Sequence, residues 1–464
     1  MKSCCFRSLF LSPKSVAFVG IPRASGPGTL NPVDNLKRWK YGGQIRLVHP
    51  HVHEIAGLPV ARRVAELNGP VDLAVVSTPR ETVPGIIRQC GNRGIKAVIV
   101  TNQGFAESDS LGKELQKRML DEAGRFGIRI LGPNTLGISN AFHRFTSSFM
   151  PQDRVETPIG LICQSGLFFV GDNQLVGGMG IAVDIGNACD VGIVDALEWL
   201  GNDDKLRVIA LHAEEIKGGK RFLEVAERVS RRIPVVALKT GRSVEGGKVA
   251  ASHTGSMAGN DRIVDAAMKK SGLIRVDETQ DQADLVRAFA RLPPMRGFRV
   301  GVVTLSGAAG IMFLDNMDRY GLEPTRLSPG TIDGIQSLSP DWMRLTNPID
   351  VWPAVMKKGM RKAFGTALKA LLADPNVDGV ICIALALGEA EQRHLGAEEV
   401  IRELSEDFDK PVVVWFYGSQ GEATAKRFEK YGSPALAIPS MEGGIRVMAA
   451  MARYEKWKES KADG

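Results

Sequence analysis

Five runs near the start of the chain, SVAFVG, QIRLVHP, VDLAVVSTP, KAVIVTNQG and IRILGPN, are rich in β-branched residues, and each closes on Gly, Pro or Asn. Stretches with helical spacing, such as ETVPGIIRQCGNRG and LGKELQKRMLDEAGRFG, lie between them. Apolar runs bounded by turn signals, with helices in between, form a parallel sheet covered by helices on both faces. This α/β grammar is expected to build a first domain over residues 1–146. It continues in IGLICQSG, GIAVDIGN, VIALHAE and PVVALKTG, which place a second domain over 150–292. The Pro-rich RLPPMRG at 291–297 reads as a hinge to a third domain over 298–464.

That third domain echoes the second. RVGVVTLSGAAG parallels IGLICQSGLFF, VDGVICIALA parallels LRVIALHAE, and KPVVVWFYGS parallels IPVVALKTG. The spacing between the echoes varies, so they read as two related α/β units with different loops, not a solenoid. A chain of 464 residues is in any case too long for one ordinary core.

Composition narrows the classes. Hydrophobic residues at 44% and charged residues at 24% are globular values, and no apolar run has the length of a membrane helix. The net charge of +7 suits an anionic small molecule or an acidic partner better than nucleic acid, because no basic stripe interleaved with aromatics is present. The opening MKSCCFRSLFLSP imitates a signal peptide, but Arg7 interrupts its apolar part. Six cysteines without metal or disulfide spacing fit a reducing compartment, so a cytoplasmic location is expected.

Ligands of parallel sheets bind at the carboxyl ends of the strands, where the candidate residues fall. Gly20, Gly26 and Gly28 follow the first strand, in a turn where backbone amides can meet a phosphate. NAD sites carry Asp or Glu at the end of the next strand, whereas this one ends RLVHPH. A ligand with an extra ribose phosphate, coenzyme A or NADP, fits better. The histidines of HPHVH lack a cysteine or carboxylate at ligand spacing, and Pro50 breaks the geometry, so no metal is assigned. GRSVEGGKVA fails as a phosphate-binding P-loop, since its lysine arrives one residue late and no Ser or Thr follows.

Ser165 and Gly166 in CQSGLFF would place amides at a helix start, where the dipole favours an anion. Glu214 ends an otherwise apolar strand, where a carboxylate could bond one ring nitrogen of a histidine and leave the other free to attack. His253 stands in ASHTGSMAGND, among small and turn-prone residues that let a phosphate-sized group reach the ring. The echoing third domain has no histidine after PVVVWFYGS, so the fold itself does not call for one.

In PKSVAFVG, GPVDLAVVSTP, LGPNTLGISN, CQSG, GNACDV, AEEIKGGKRF, KTGRSVEGGKVAASHTGSMAG and TNPIDV, taken in order, the chain resembles the alpha subunits of NDP-forming acyl-CoA synthetases, relatives of succinyl-CoA synthetase alpha. The resemblance implies a Rossmann-like CoA-binding domain followed by two flavodoxin-like domains. It implies an acid–thiol ligase that interconverts acyl-CoA, ADP and phosphate with carboxylic acid, CoA and ATP, and a transiently phosphorylated His253. Glu214 matches the glutamate that stabilises the phosphohistidine, and Ser165, Gly166 and Gly255 match phosphate-holding positions. Gly20, Gly26, Gly28, Ser77, Pro79, Asn134 and Thr135 fall in the CoA-binding motifs. Mg2+ with ADP or ATP is expected on a separate ATP-grasp beta subunit, with no membrane or nucleic-acid partner. The chain departs from the pattern at Thr135, where relatives carry Cys, at Cys163 in place of Ser, at Ala188 in place of Lys, and at His51, where many relatives carry Lys. The alternative carried forward is a regulatory or scaffold protein of this fold that binds CoA and has lost turnover.

Overall fold

The computed structural model describes residues 3–254, 260–388, 394–430 and 433–462, leaving aside the side chains of 3–5, 172–174 and 250–254. The chain divides into two compact units, Met1–Val286 and Arg287–Gly464.

The first unit holds two sheets. One runs, edge to edge, Glu54–Ile55, Leu58–Ala61, Gln44–Val48, Ser15–Val19, Leu73–Val76, Ala97–Val100 and Arg129–Leu131, parallel except for the short pair at its first edge. Its central strand is buried on both faces. Val16 and Phe18 pack into the cluster containing Phe10 and Leu36, while Ala17 and Val19 pack against Ile87 and Met119. Successive side chains of a strand point to opposite faces, so an unbroken apolar run is what helices on both sides require. One of those helices, Ser110–Phe126, is started by Asp109, whose carboxylate accepts from the Gly112 amide at 2.6 Å, and is stopped by Gly127 at φ 62°.

The second sheet runs Ile274–Val276, Val235–Lys239, Val208–Ala213, Ile159–Cys163, Ile181–Asp184, then Ile138–Asn140 and Phe145–Thr146. The last two strands form a hairpin that pairs antiparallel with Ile181–Asp184. Residues 138–146, expected in the first domain, therefore extend the second sheet. The cis Gly132–Pro133 turn, in the segment between Arg129–Leu131 and Ile138–Asn140, carries the chain from one sheet to the other.

The second unit contains a sheet in the order Glu323–Pro324, Arg299–Thr304, Gly379–Leu385, Val412–Tyr417, Leu436–Ala437, with Ile349–Asp350 also beside Arg299–Thr304. Its three central strands are parallel and follow the same spatial order as Ile159–Cys163, Val208–Ala213 and Val235–Lys239. The echo read in the sequence is thus a repeated topology. Among the described residues, no helix is long and apolar enough to cross a membrane.

Candidate active site

The first strand ends at Gly20, whose φ of +82° suits glycine. A Cβ there would lie 2.3 Å from Thr78 Cγ2 and 3.0 Å from the Ser77 carbonyl oxygen. Glycine thus lets the Ser77–Pro79 turn close on the strand end, where the Ser77 amide donates to Val19 O at 2.8 Å. Two adjoining cavities of about 540 and 440 Å³ open here, sharing Gly20, Arg23, His49 and Ser77 in their walls. Together they have the size of a ligand site. Pro79, His51, Arg62 and Arg63 line the second cavity. Burial, and then the neighbouring Arg23 and His51, hold the His49 imidazole below its ordinary pKa.

Gly26 and Gly28 are not in either wall. They shape a loop laced from within: the Asn31 amide donates to Pro22 O and Ala24 O, and the Asp34 carboxylate accepts from the Gly26 amide at 2.8 Å. The helix that follows, Pro32–Arg38, is short, and its first turn carries that carboxylate. The walls of these cavities also carry Arg23, Arg62 and Arg63, three residues that the glycine pattern did not single out.

Asn134 and Thr135 lie on the turn that leads to the second sheet. Asn134 takes a positive φ of 58°, and its side-chain amide donates to Asn187 Oδ1 at 3.3 Å. Thr135 is 3% exposed, and its hydroxyl donates to the Asp184 carbonyl and accepts from the Gly137 amide at 2.8 Å. The Thr135 side chain is therefore committed to holding the turn. The Asp184 carboxylate accepts from Leu136 N at 2.7 Å and Gly186 N at 3.1 Å. Burial pushes its pKa up to about 6 despite those two amides, with a further push from the charge of Glu214. A Cβ on Gly166 would meet Leu136 Cδ1 at 2.9 Å, which places the start of helix Gly166–Leu175 directly against this turn.

Glu214 is the first residue past strand Val208–Ala213. That strand lies between Ile159–Cys163, which leads to Ser165 and Gly166, and Val235–Lys239, which leads into helix Val244–Thr254. Parallel pairing brings all three exits to the same edge. Gln164 Oε1 accepts from the amides of Glu214 and Glu215 at 2.7 and 2.9 Å, and Lys239 Nζ donates to Glu214 O at 2.7 Å. His212, two residues earlier, stacks on Phe168 with ring centroids 3.7 Å apart, and burial holds it neutral with a pKa of about 3. His253 belongs to helix Val244–Thr254, but its side chain lies outside the described residues, as does Gly255.

Gln164, Lys239 and Asp184 are not among the residues that the sequence motifs single out. Their common signal is a polar or charged residue at the end of an apolar strand, buried in the fold at 8%, 7% and 1% exposure.

A family model described as "CoA binding domain" matches residues 14–141, and one described as "Succinyl-CoA ligase like flavodoxin domain" matches residues 156–289. The Pyrococcus furiosus protein named acetate–CoA ligase [ADP-forming] I subunit alpha is 32% identical over 466 residues, covering 96% of this chain and 97% of that protein. Acetate–CoA ligase [ADP-forming] II of Archaeoglobus fulgidus is 35% identical over 387 residues, or 82% of this chain, which spans 57% of that longer relative. Among solved structures, the dinucleotide-forming acetyl-coenzyme A synthetase 1 of Ca. Korarchaeum cryptofilum, in complex with phosphate and ADP, superimposes with a TM-score of 0.87 at 28% identity, covering 98% of this chain and 97% of that one. The second cavity, with Arg23, Arg62 and Arg63 in its wall, lies within the stretch matched as CoA-binding, and the Gln164–Glu214–Lys239 edge lies within the flavodoxin-like match. The chain belongs to the family of ADP-forming acetate–CoA ligases and aligns with their alpha subunits.

Proposed function

We propose that this chain is the alpha subunit of an ADP-forming acyl-CoA synthetase that interconverts acyl-CoA, phosphate and ADP with carboxylic acid, CoA and ATP. The observation that carries this reading is the shared edge of three parallel strands. It gathers the helix start at Ser165 and Gly166, the fixed peptide of Glu214, and the segment leading to His253, with Leu136 of the connecting turn packed against the helix start.

In this reading, CoA lies with its phosphates toward Arg23, Arg62 and Arg63. Gly20, Ser77 and Pro79 shape the cavity that receives it. Phosphate attacks the thioester carbon, the C–S bond breaks, and CoA leaves as the acyl phosphate forms. A ring nitrogen of His253 then attacks phosphorus, and the carboxylic acid departs. Amides at the start of the helix, with Gly255, hold the phosphoryl oxygens in place. Glu214 holds the second ring nitrogen, which sets the tautomer and balances the charge that develops on the ring. Transfer of this kind is mostly positioning and charge stabilisation, which suits a site built from small residues and backbone donors.

The phosphoryl group passes next to ADP, bound with Mg2+ on an ATP-grasp beta subunit. The domain limits that go with this reading are a CoA-binding portion that includes the Asn134–Thr135 turn, a phosphorelay portion through residue 292, and a third α/β portion from residue 298. The reaction is assigned to the cytoplasm. The test is ATP formation from acetyl-CoA, phosphate and MgADP: none is expected from the purified chain, and turnover is expected when the ATP-grasp subunit is added. ATP made by the chain alone would overturn the division of labour. No ATP with any acyl-CoA and the partner present would favour a CoA-binding regulatory protein.

A further inference from the structure

Glu214 sits where a strand has ended and no helix has begun. The ladder that fixes residues 208–213 stops beside it, and residues 214–218 form a bend and coil before the helix at Gly219. A carboxylate at such a point would swing with its peptide, and the amides of 214 and 215 would need partners from elsewhere. Both needs are met by side chains from the two flanking strands. Gln164, directly after Ile159–Cys163, accepts the amides of Glu214 and Glu215 on one oxygen. Two donors aimed at the same atom leave no doubt which end of the carboxamide is the oxygen. From the other flank Lys239, the last residue of Val235–Lys239, donates to the Glu214 carbonyl and also to Thr240 O.

These are costly residues to use for this purpose. Gln164 and Lys239 are 8% and 7% exposed, and a buried ammonium is tolerated only where it is well bonded. Apolar residues would close these strands more cheaply if packing were the only requirement. Gln164 also immediately precedes Ser165 and Gly166, so one side chain joins the helix start to the glutamate turn.

We infer that Gln164 and Lys239 are positioning residues, which clamp the Glu214 peptide from both sides and so hold its carboxylate in register with the phosphate-holding helix start. This role rests on the proposed phosphohistidine relay. It predicts that the clamp affects phosphoryl transfer and leaves CoA binding alone, since the cavity lined by Arg23, Arg62 and Arg63 lies on the other sheet.

The test uses the full chain, acetyl-CoA and radiolabelled inorganic phosphate, with the rate of phosphoryl incorporation measured at saturation beside CoA affinity by calorimetry. Gln164→Met keeps the volume and removes the acceptor. It is expected to label about 100-fold more slowly than wild type, equivalent to about 2.7 kcal/mol of barrier, with CoA affinity unchanged within twofold. Gln164→Glu retains an oxygen for both amides and is expected to recover at least tenfold of that loss. Lys239→Met is expected to slow labelling in the same way, and Lys239→Arg, which still donates, to restore part of the rate. Labelling of Gln164→Met at the wild-type rate overturns the clamp while leaving the relay standing, and so does a Gln164→Glu variant no faster than Gln164→Met. A wild-type chain that takes up no phosphoryl group removes the relay, and the clamp with it.

Discussion

Asp184 ties the end of strand Ile181–Asp184 to the connecting turn at Leu136 through its carboxylate, and its charge state should be visible in the stability of the first unit. It is 1% exposed, and burial raises its pKa from an ordinary 3.8 to about 6. The folded chain therefore holds a proton between pH 4 and 6 that the unfolded chain has already lost. Stability then falls as pH rises through that window, and the loss is complete above pH 6. The difference of about two pKa units corresponds to ~3 kcal/mol, an order-of-magnitude figure.

Asp184→Asn removes the titration but keeps one carbonyl oxygen for Leu136 N or Gly186 N. The other amide would then face an NH2 group, at a cost of about 1–3 kcal/mol that does not depend on pH. The informative quantity is the stability of the variant minus that of the wild type, measured by urea unfolding from pH 4 to 7.5 with Trp39 and Trp199, both buried in this unit, as reporters. The difference is expected to rise in favour of the variant by about 2–3 kcal/mol across the window and then level off. Groups common to both chains cancel. A difference that stays flat with pH would refute the assignment of that proton to Asp184.

Gly20→Ala would force a Cβ to within 2.3 Å of Thr78 Cγ2 at φ +82°. CoA affinity should drop about tenfold or more, or ~1.4 kcal/mol, by calorimetry, and unchanged affinity would place the ligand elsewhere. Gly186→Ala and Gly127→Ala test close approach against backbone conformation alone. Both glycines have positive φ, but a Cβ at 186 would lie 2.4 Å from the carbonyl oxygens of Pro133 and Asn134, whereas at 127 it meets nothing within 4 Å. The Gly127 variant should lose about 1–2 kcal/mol, the cost of the left-handed backbone, and the Gly186 variant clearly more. Equal losses by thermal unfolding would mean that the two loops can part freely.

The strands were legible because sheets covered on both faces need unbroken apolar runs, and SVAFV, IGLIC and VVALK announce themselves. Glycine at the strand ends was legible for a similar reason, as Gly20 demonstrates. The hairpin at 138–146 was not legible as part of the second sheet. Its partner, Ile181–Asp184, lies some 40 residues away, and nothing local records that pairing. The glycine spacing pointed to a loop that could meet a phosphate, but it did not record that Asn31 and Asp34 tie this loop from within, nor that arginines from two loops line the adjoining cavities. Thr135 stood out as a departure from the family cysteine, yet its hydroxyl faces inward to Asp184. Gln164, Lys239 and Asp184 each sit inside motifs already quoted from the sequence. Their roles consist of hydrogen bonds between strands that are neighbours in space but not in sequence, so the structure was needed to read them.

The claim on which the account turns is that the imidazole of His253 carries phosphorus between the thioester and the nucleotide. The most direct measurement incubates the purified chain with acetyl-CoA and labelled phosphate, then follows the bound label through acid and alkali. Label that is lost in acid, survives alkali, maps to His253 and is absent from His253→Ala is the predicted result. Label that persists in His253→Ala would contradict it.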